Sequence, residues 1–249
     1  MREIVSIINQ KGGSGKTTTA YALGTGLYKK GFKVLFIDLD GQANLTSAMQ
    51  VIPSKSGILD LLTNKVRISE IVQKIAIGDV LVGSEDLFQA DMNVVDVGKE
   101  YRLKEALADV KEEYDYVIID TPPALSILTI NALVASDSAI ITSQAERFNS
   151  SGVDRISKVI ETIRNHRNKS LVIKGVLLTR FKERTRLNRD FAKLLKEFAD
   201  KLGTKVFKAT IRDSIVISEA QAKRIAIFDY APKSNVTEDY RVFIEEFLQ

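Results

Sequence analysis

The chain has 249 residues, 45% of them hydrophobic and 27% charged, and no cysteine. That length and balance describe a globular chain able to bury a core without cross-links. The missing thiols exclude disulfides, thiolate metal sites and a cysteine nucleophile, which suits a reducing cytoplasm. The net charge of +4 is unevenly spread. Residues 1–145 carry 14 basic and 18 acidic side chains, residues 146–224 carry 20 and 9, and residues 225–249 carry 2 and 5. A regional basic excess of this kind fits either a face that meets a polyanion or a set of solvated basic helices.

Apolar runs alternate with helix-period segments along the chain. EIVSIIN (3–9) reads as a buried strand, followed by a helix from Lys16 to about Lys30 that Gly31 would cap. KVLFID (33–38) is the next strand, DVLVGS (79–84) a short one, and KEYRLKEALADVKEEY (99–114) has helical spacing with many charges. YVIID (116–120) is a strand ending at an aspartate, and SILTINALVA (126–135) an apolar helix. Then come SAIITSQ (138–144) as strand, VDRISKVIETIRN (153–165) as helix, LVIKGVLLTRF (171–181) as strand and LNRDFAKLLKEFADKL (187–202) as helix. KVFKATI (205–211) is a last strand and TEDYRVFIEEFLQ (237–249) a closing helix. Strands separated by helices imply βαβ units, hence one doubly wound, mostly parallel α/β sheet flanked by helices, with ligands at the carboxyl ends of the strands. A single domain over residues 1–249 is the simplest account. No run approaches the length of a membrane-spanning helix, and Gly12 and Gly13 interrupt the only apolar start, so no secretory leader is read.

The stretch KGGSGKTT (11–18) joins the first strand to the first helix. Glycines there let backbone N–H groups close around phosphate at a helix N-terminus, a lysine reaches the β and γ phosphates, and a hydroxyl holds Mg²⁺. Gly12, Gly13 and Gly15 supply the flexibility, Lys16 the charge and Thr17 the metal ligand, with Ser14 and Thr18 completing the nucleotide-binding loop. The common pattern G-x-x-x-x-G-K-[ST] would need glycine at position 10, where this chain has Gln10, so the loop is a variant carrying an extra lysine, Lys11.

KGGSGKTTTA resembles the deviant Walker A motif of the ParA/MinD family of P-loop ATPases. The resemblance covers nearly the whole chain and implies ATP and Mg²⁺ as cofactors and an ATP-dependent homodimer, in which Lys11 would reach the partner's ATP as a catalytic residue beside Lys16. FIDLDGQANLTSA resembles the family's first switch, implying that Asp40 orients the attacking water while Asp38 is structural or close to Mg²⁺; Gly41 stands where proline is usual. YVIIDTPPALSILTINAL resembles the Walker B strand and second switch, implying Asp120 as a metal-side ligand, with Pro122 and Pro123 stiffening the segment after the strand. SQAERFNSSGV resembles the family segment with a Q-x-E triplet after the next strand, implying that Glu146 faces the dimer partner or the nucleotide ribose. LLTRF (177–181) falls at the start of the adenine pocket, implying Thr179 and Arg180 as base neighbours, although the opposite wall reads TIRDS (210–214) with Asp213 in place of asparagine.

The resemblance fits short partition ATPases best, since the phosphate loop starts within a dozen residues of Met1 and leaves no room for a preceding operator-binding domain. It implies sequence-independent binding of double-stranded DNA and hydrolysis stimulated by a ParB-like centromere-binding partner, in a cytoplasmic, nucleoid-associated protein. RFKERTRLNRDFAK (180–193) has six basic residues against two acidic ones, so Arg184, Arg186, Arg189 and Lys193, with Lys223 and Arg224, are the candidate phosphate contacts. No membrane partner is expected, because the closing segment carries four acids and one arginine. A membrane-recruited MinD-like positioning ATPase and a nucleotide-switched regulator remain as rivals. His166, the only histidine, reads as a solvated helix end.

Overall fold

The structure, a computed structural model, describes the backbone of residues 1–144, 150–181 and 187–249 and the side chains of 1–144, 155–181 and 194–249. In chain order its elements are β1 (Glu3–Ile8), α1 (Lys16–Lys29), β2 (Val34–Asp38), α2 (Asn44–Ala48), α3 (Ile58–Leu62), α4 (Ile68–Ile71), β3 (Gln73–Ile75) and β4 (Gly78–Leu81). There follow α5 (Ala90–Asn93), α6 (Arg102–Ala108), β5 (Tyr116–Asp120), α7 (Ile127–Ala135), β6 (Ser138–Gln144) and α8 (Ser150–His166). The chain continues through β7 (Val172–Phe181), α9 (Leu187–Lys201), β8 (Val206–Arg212), α10 (Ile215–Lys223), α11 (Ile227–Tyr230) and α12 (Asn235–Leu248).

β-branched runs form the strands, and period 2 divides their side chains between two covered faces. On β2, Val34 and Phe36 join α1 and α12 in one core, with Leu23, Leu27, Tyr240 and Phe243. Leu35 and Ile37 point the other way, into a core with Leu103, Leu107 and Leu128. A third cluster, with Ile141, Ile160, Leu178 and Phe198, covers β6 and β7 on the side of α8 and α9. The eight strands run in the order β3-β4-β2-β5-β1-β6-β7-β8. All pairs are parallel except β3 with β4. The expected doubly wound, mostly parallel sheet is therefore what the chain forms. The pairing brings Asp38 and Asp120 into register at the carboxyl ends of β2 and β5, beside the end of β1, where Ile7 pairs with Asp120.

Several details differ from the periodicity. Residues 99–114 form a 3₁₀ turn at Lys99–Tyr101 and a helix only at 102–108. Val110 and Tyr114 turn inward instead, the Tyr114 hydroxyl donating to Asp79 at 2.7 Å and the Asp115 amide to the Lys33 carbonyl at 2.8 Å. Those contacts carry the chain off the helix and into β5. The antiparallel edge strand β3 and the helix α10 are also structure that apolar spacing did not announce.

α1 lies close against β2 because position 24 has no side chain. A Cβ on Gly24 would sit inside the ring of Phe36, which is fully buried and has nowhere to go. Gly24→Ala is expected to destabilise the protein by about 1–3 kcal/mol despite alanine's better helix propensity, read as a lower urea midpoint with an unchanged slope.

Candidate nucleotide site

The loop between β1 and α1 folds back on itself through left-handed glycines. Gly13 has φ 72° and Gly15 φ 83°, angles that cost other residues dearly. Gly15 caps α1, its carbonyl accepting the Thr19 amide at 2.9 Å. At the front of the loop the Lys11 amide donates to Asn9 Oδ1 at 3.0 Å, and Lys16 Nζ reaches the Lys11 carbonyl at 3.3 Å. The rest of the cradle is braced from β6 and β7. The Ser14 hydroxyl lies 3.1 Å from that of Thr142, the Gln144 amide donates to the Gly13 carbonyl, and the Thr179 hydroxyl lies 2.9 Å from the Ser14 carbonyl. Lys11, Gly12 and Gly13 are exposed, while Ser14 and Lys16 are buried. Burial lowers the pKa of the Lys16 ammonium, and the charges of Asp120 and Asp40 oppose that shift.

Three aspartates line up behind the loop in different surroundings. Asp38 is fully buried, accepting the Thr46 amide and hydroxyl at 2.8 Å each and the Asp40 amide at 3.2 Å. The Thr46 hydroxyl in turn accepts the Gly83 amide at 2.8 Å. A Cβ at Gly83 would come within 2.8 Å of the Asp38 carboxyl carbon, so glycine lets the segment that follows β4 close over it. Burial, aided by the charge of Asp40, pushes the Asp38 carboxyl up to about 6 despite its hydrogen bonds. Asp38 thereby ties β2 and α2 to the segment that follows β4. Asp40 is also buried but lines the cleft, its Oδ1 accepting the Gln42 amide at 3.0 Å.

Asp120 is fully buried and neither of its oxygens has a hydrogen-bond partner of ordinary geometry, the Thr17 hydroxyl acting on it only weakly. Burial first, then the charge of Asp38, raise its pKa well above the usual carboxylate range, while nearby Thr17 and Lys16 favour its charged form. An unpartnered carboxylate in this position calls for a cation. With the Thr17 hydroxyl beside it, Asp120 offers the oxygen donors that a hard divalent ion such as Mg²⁺ takes. Among the described residues no group of three metal-ligating His, Asp or Glu side chains stands together, so water and a phosphate would complete the coordination.

A cleft of about 330 Å³ runs from Gly12–Thr18 and Asp40 past Thr179, Arg180, Asp213 and Gln221, within the usual range for small-molecule sites. Arg180 lines it with φ 50°, its Nε 3.2 Å from Asp213 Oδ1. The two segments expected to flank a base thus meet as an ion pair. Thr179 both lines the cleft and props the loop from behind, at 3.4 Å from a Cβ on Gly15. Thr18 accepts the Gln221 side-chain amide at 2.8 Å. Sequence reasoning misses Gln221 and Thr142. Only Ser214, which caps α10 by accepting the Val216 amide, offers a local sign of the helix that presents Gln221. Lys223 and Arg224 are exposed at the end of α10, Lys223 lying over the Tyr230 ring at 5.3 Å. Glu146, Arg184 and Arg186, and the side chains of Arg189 and Lys193 on α9, lie outside the described residues.

The AAA domain family model matches residues 2–173. The chain is 37% identical over 245 residues to the sporulation initiation inhibitor protein Soj of Bacillus subtilis, covering 96% of each chain. It is 32% identical over 251 residues to the chromosome-partitioning ATPase Soj of Treponema pallidum, covering 100% of this chain and 98% of that one. Among solved structures, apo McdA from Cyanothece superposes with a TM-score of 0.88 at 26% identity, covering 100% of each chain. Cobyrinic acid a,c-diamide synthase from Mycobacterium smegmatis, with bound ATP analogue and magnesium, superposes with a TM-score of 0.85 at 30% identity, covering 100% of this chain and 95% of that one. With the glycine cradle, the buried lysine and the strand-end aspartates in place, the chain belongs to the AAA domain family and, within it, to the ParA/MinD family of P-loop ATPases, alongside the Soj and ParA partition proteins.

Proposed function

We propose that the protein is a Mg²⁺-dependent partition ATPase of a single domain, which dimerises on ATP, binds double-stranded DNA without sequence preference while dimerised, and is released when a ParB-like centromere-binding partner stimulates hydrolysis. The observation that carries this reading is that Lys16 and Asp40 line one cleft, with the buried Asp120 close enough for its charge to act on Lys16. Lys16, with the loop amides and the N-terminus of α1, holds the β and γ phosphates of ATP. Asp40 orients the attacking water in line with the γ-phosphate, a matter of position more than of basicity. Thr17 and Asp120 would hold Mg²⁺, which when bound offsets charge on the phosphates. Lys11, exposed at the front of the loop, would extend to the nucleotide of a second subunit. Arg180 and Thr179 stand where the base end of the nucleotide would lie.

The charge of residues 146–224 supports a DNA-binding face, with Arg184, Arg186, Arg189, Lys193, Lys223 and Arg224 as its candidates. α12 speaks against a membrane-recruited cycle. Five of its apolar residues, Val236, Tyr240, Phe243, Ile244 and Phe247, are spent in the core, and its outer face carries Glu238, Asp239, Glu245 and Glu246 against Arg241, with Val242 the large apolar side chain left exposed there. Among the described residues no helix is long and apolar enough to cross a membrane. The proposed setting is the cytoplasm, on the nucleoid.

Co-sedimentation with duplex DNA tests the reading. Pelleting is expected with ATP, not with ADP, and not for Lys16→Ala, and it should fall steeply with salt. Lys11→Ala is expected to keep monomeric nucleotide binding within a few-fold yet lose ATP-dependent dimers by light scattering. If ATP-loaded protein ignores DNA at low salt, the partition reading fails; persistent Lys11→Ala dimers would give that lysine another purpose.

A further inference from the structure

α1, α2 and the turn from α10 to α11 enclose a second cavity of about 340 Å³, beside the nucleotide cleft and of similar size. Its apolar walls come from Tyr21, Ala22, Ala48, Ala220, Ile225 and Ile227. Asn44, Ser47 and Gln221 add neutral polar groups, and among the described residues Arg224 is the one charged side chain that lines it. The Tyr21 hydroxyl, pushed up to about 12 by burial and then by the charge of Asp229, keeps its proton at neutral pH. Asp229 is itself paired with Lys29 at 2.5 Å. The cavity is therefore apolar within and answers to a single cation.

Two side-chain bridges frame it. At the seam with the nucleotide cleft the Gln221 amide donates to the Thr18 hydroxyl at 2.8 Å, and both residues line both spaces. At the far end the Gln50 side-chain amide donates to the Arg224 carbonyl at 3.0 Å, joining the turn after α2 to the end of α10. The backbone is strained at the same places. Ala43 (φ 51°), Gln50 (φ 58°) and Arg224 (φ 55°) are left-handed without being glycine. Such angles cost free energy and gather where a ligand is clamped. α2, which begins four residues after Asp40, thus has a strained residue at each end and its inner face on the cavity.

We propose that this cavity binds a small aromatic monoanion, one or two rings bearing a carboxylate or sulfonate, with its rings against Tyr21, Ile225 and Ile227 and its charge at Arg224, and that the bound molecule fixes α2 against α10. Size and charge select the class. The volume lies at the lower end of small-molecule pockets, which take apolar bodies oriented by a few polar groups. One guanidinium balances one negative charge and pairs well with a planar or branched oxyanion. A nucleoside triphosphate carries too much charge for it and has the glycine cradle next door, whose residues 12–16 do not line this space. The cavity shares Thr17 and Thr18 with the cleft but uses no phosphate chemistry, so the inference stands apart from the partition reading.

The test uses the full-length protein and anilinonaphthalene sulfonate as probe, with uncharged phenylnaphthylamine as its control. Fluorescence titration is expected to show a saturable site for the sulfonate and at least about tenfold weaker binding of the neutral probe. Ala48→Leu fills part of the cavity, and Arg224→Asn removes the charge while keeping a residue that tolerates left-handed angles. Each should weaken the sulfonate by about tenfold, whereas Arg224→Lys should stay within a few-fold of wild type. Saturating ADP with Mg²⁺ should change the affinity by less than about threefold, as for a separate site. Hydrogen exchange at the amides of residues 44–48 should slow when the sulfonate is added. Equal binding of the neutral probe overturns the anionic class. Binding indifferent to Ala48→Leu and Arg224→Asn overturns the cavity as its seat, and full displacement by ADP does the same by placing the probe in the nucleotide cleft. Unchanged exchange at residues 44–48 overturns the hold on α2.

Discussion

Asp120→Asn is expected to raise the stability of the nucleotide-free protein and to cost it metal-dependent nucleotide binding. Wild-type Asp120 is fully buried without a hydrogen bond of ordinary geometry, and burial and the charge of Asp38 hold its pKa well above the usual range. In the unfolded chain an aspartate titrates near 4. The folded state thus keeps a proton that the unfolded state gives up, so the stability this group contributes is complete below about pH 4 and is lost as pH rises through its folded pKa. Asparagine carries no such titration, so the gap between variant and wild type should close at pH 4 and widen above it. At pH 7 the gain should be on the order of 1–2 kcal/mol, the charge-burial penalty less the cost of an unpaired amide. Asp38, pushed up to about 6, adds the same downward slope between about pH 4 and 6 in both proteins. Metal-dependent ATP affinity should fall by roughly 10–100-fold, as for loss of a carboxylate that positions a bound ion. Urea unfolding across pH and titration with a fluorescent ATP analogue, with and without Mg²⁺, measure the two effects. A stability loss at pH 7, or unchanged metal-dependent affinity, would remove Asp120 from the metal side of the site.

Asp40→Ala is expected to lower kcat by roughly 10²–10⁴ while leaving ATP affinity within a few-fold. Asp40 has one oxygen committed to the Gln42 amide and lines the cleft, unlike Asp38, whose oxygens are taken by Thr46 and the Asp40 amide. Of these two, Asp40 is the one that lines the cleft, where the proposed role would have it address a water over the γ-phosphate. Steady-state phosphate release with a parallel binding isotherm separates the two parameters. A parallel fall in affinity would mean that Asp40 acts on the ground state, and an unchanged kcat would move the water-orienting role elsewhere.

The pair of aspartates in LDLD shows where reading the sequence stops. Spacing places both at the end of a buried strand, and the resemblance ranks them, but their division of labour comes from Thr46 and Gly83 closing on Asp38. Thr179 is a similar case. Its place in LLTRF suggests a base neighbour, and the fold also makes it a prop for the loop through Ser14. Arg180 and Asp213 face each other only because β7 and β8 are adjacent, with Phe181 in register with Arg212.

What the chain determined by itself was everything local. The alternation of β-branched runs with helical spacing dictates a parallel sheet with both faces covered, because each strand can bury two sides only between helices. The cradle comes likewise from glycines at 13 and 15, whose left-handed angles turn the chain so that a helix N-terminus meets phosphate. Strand order, by contrast, is not written in any window of residues. It sets Asp38 beside Asp120, cuts the expected helix of residues 99–114 back to 102–108 so that Tyr114 can reach Asp79, and lays Phe88 on Gly41. Those contacts join segments far apart in sequence, and their free energy depends on which neighbours the whole sheet supplies, so only the tertiary structure decided them.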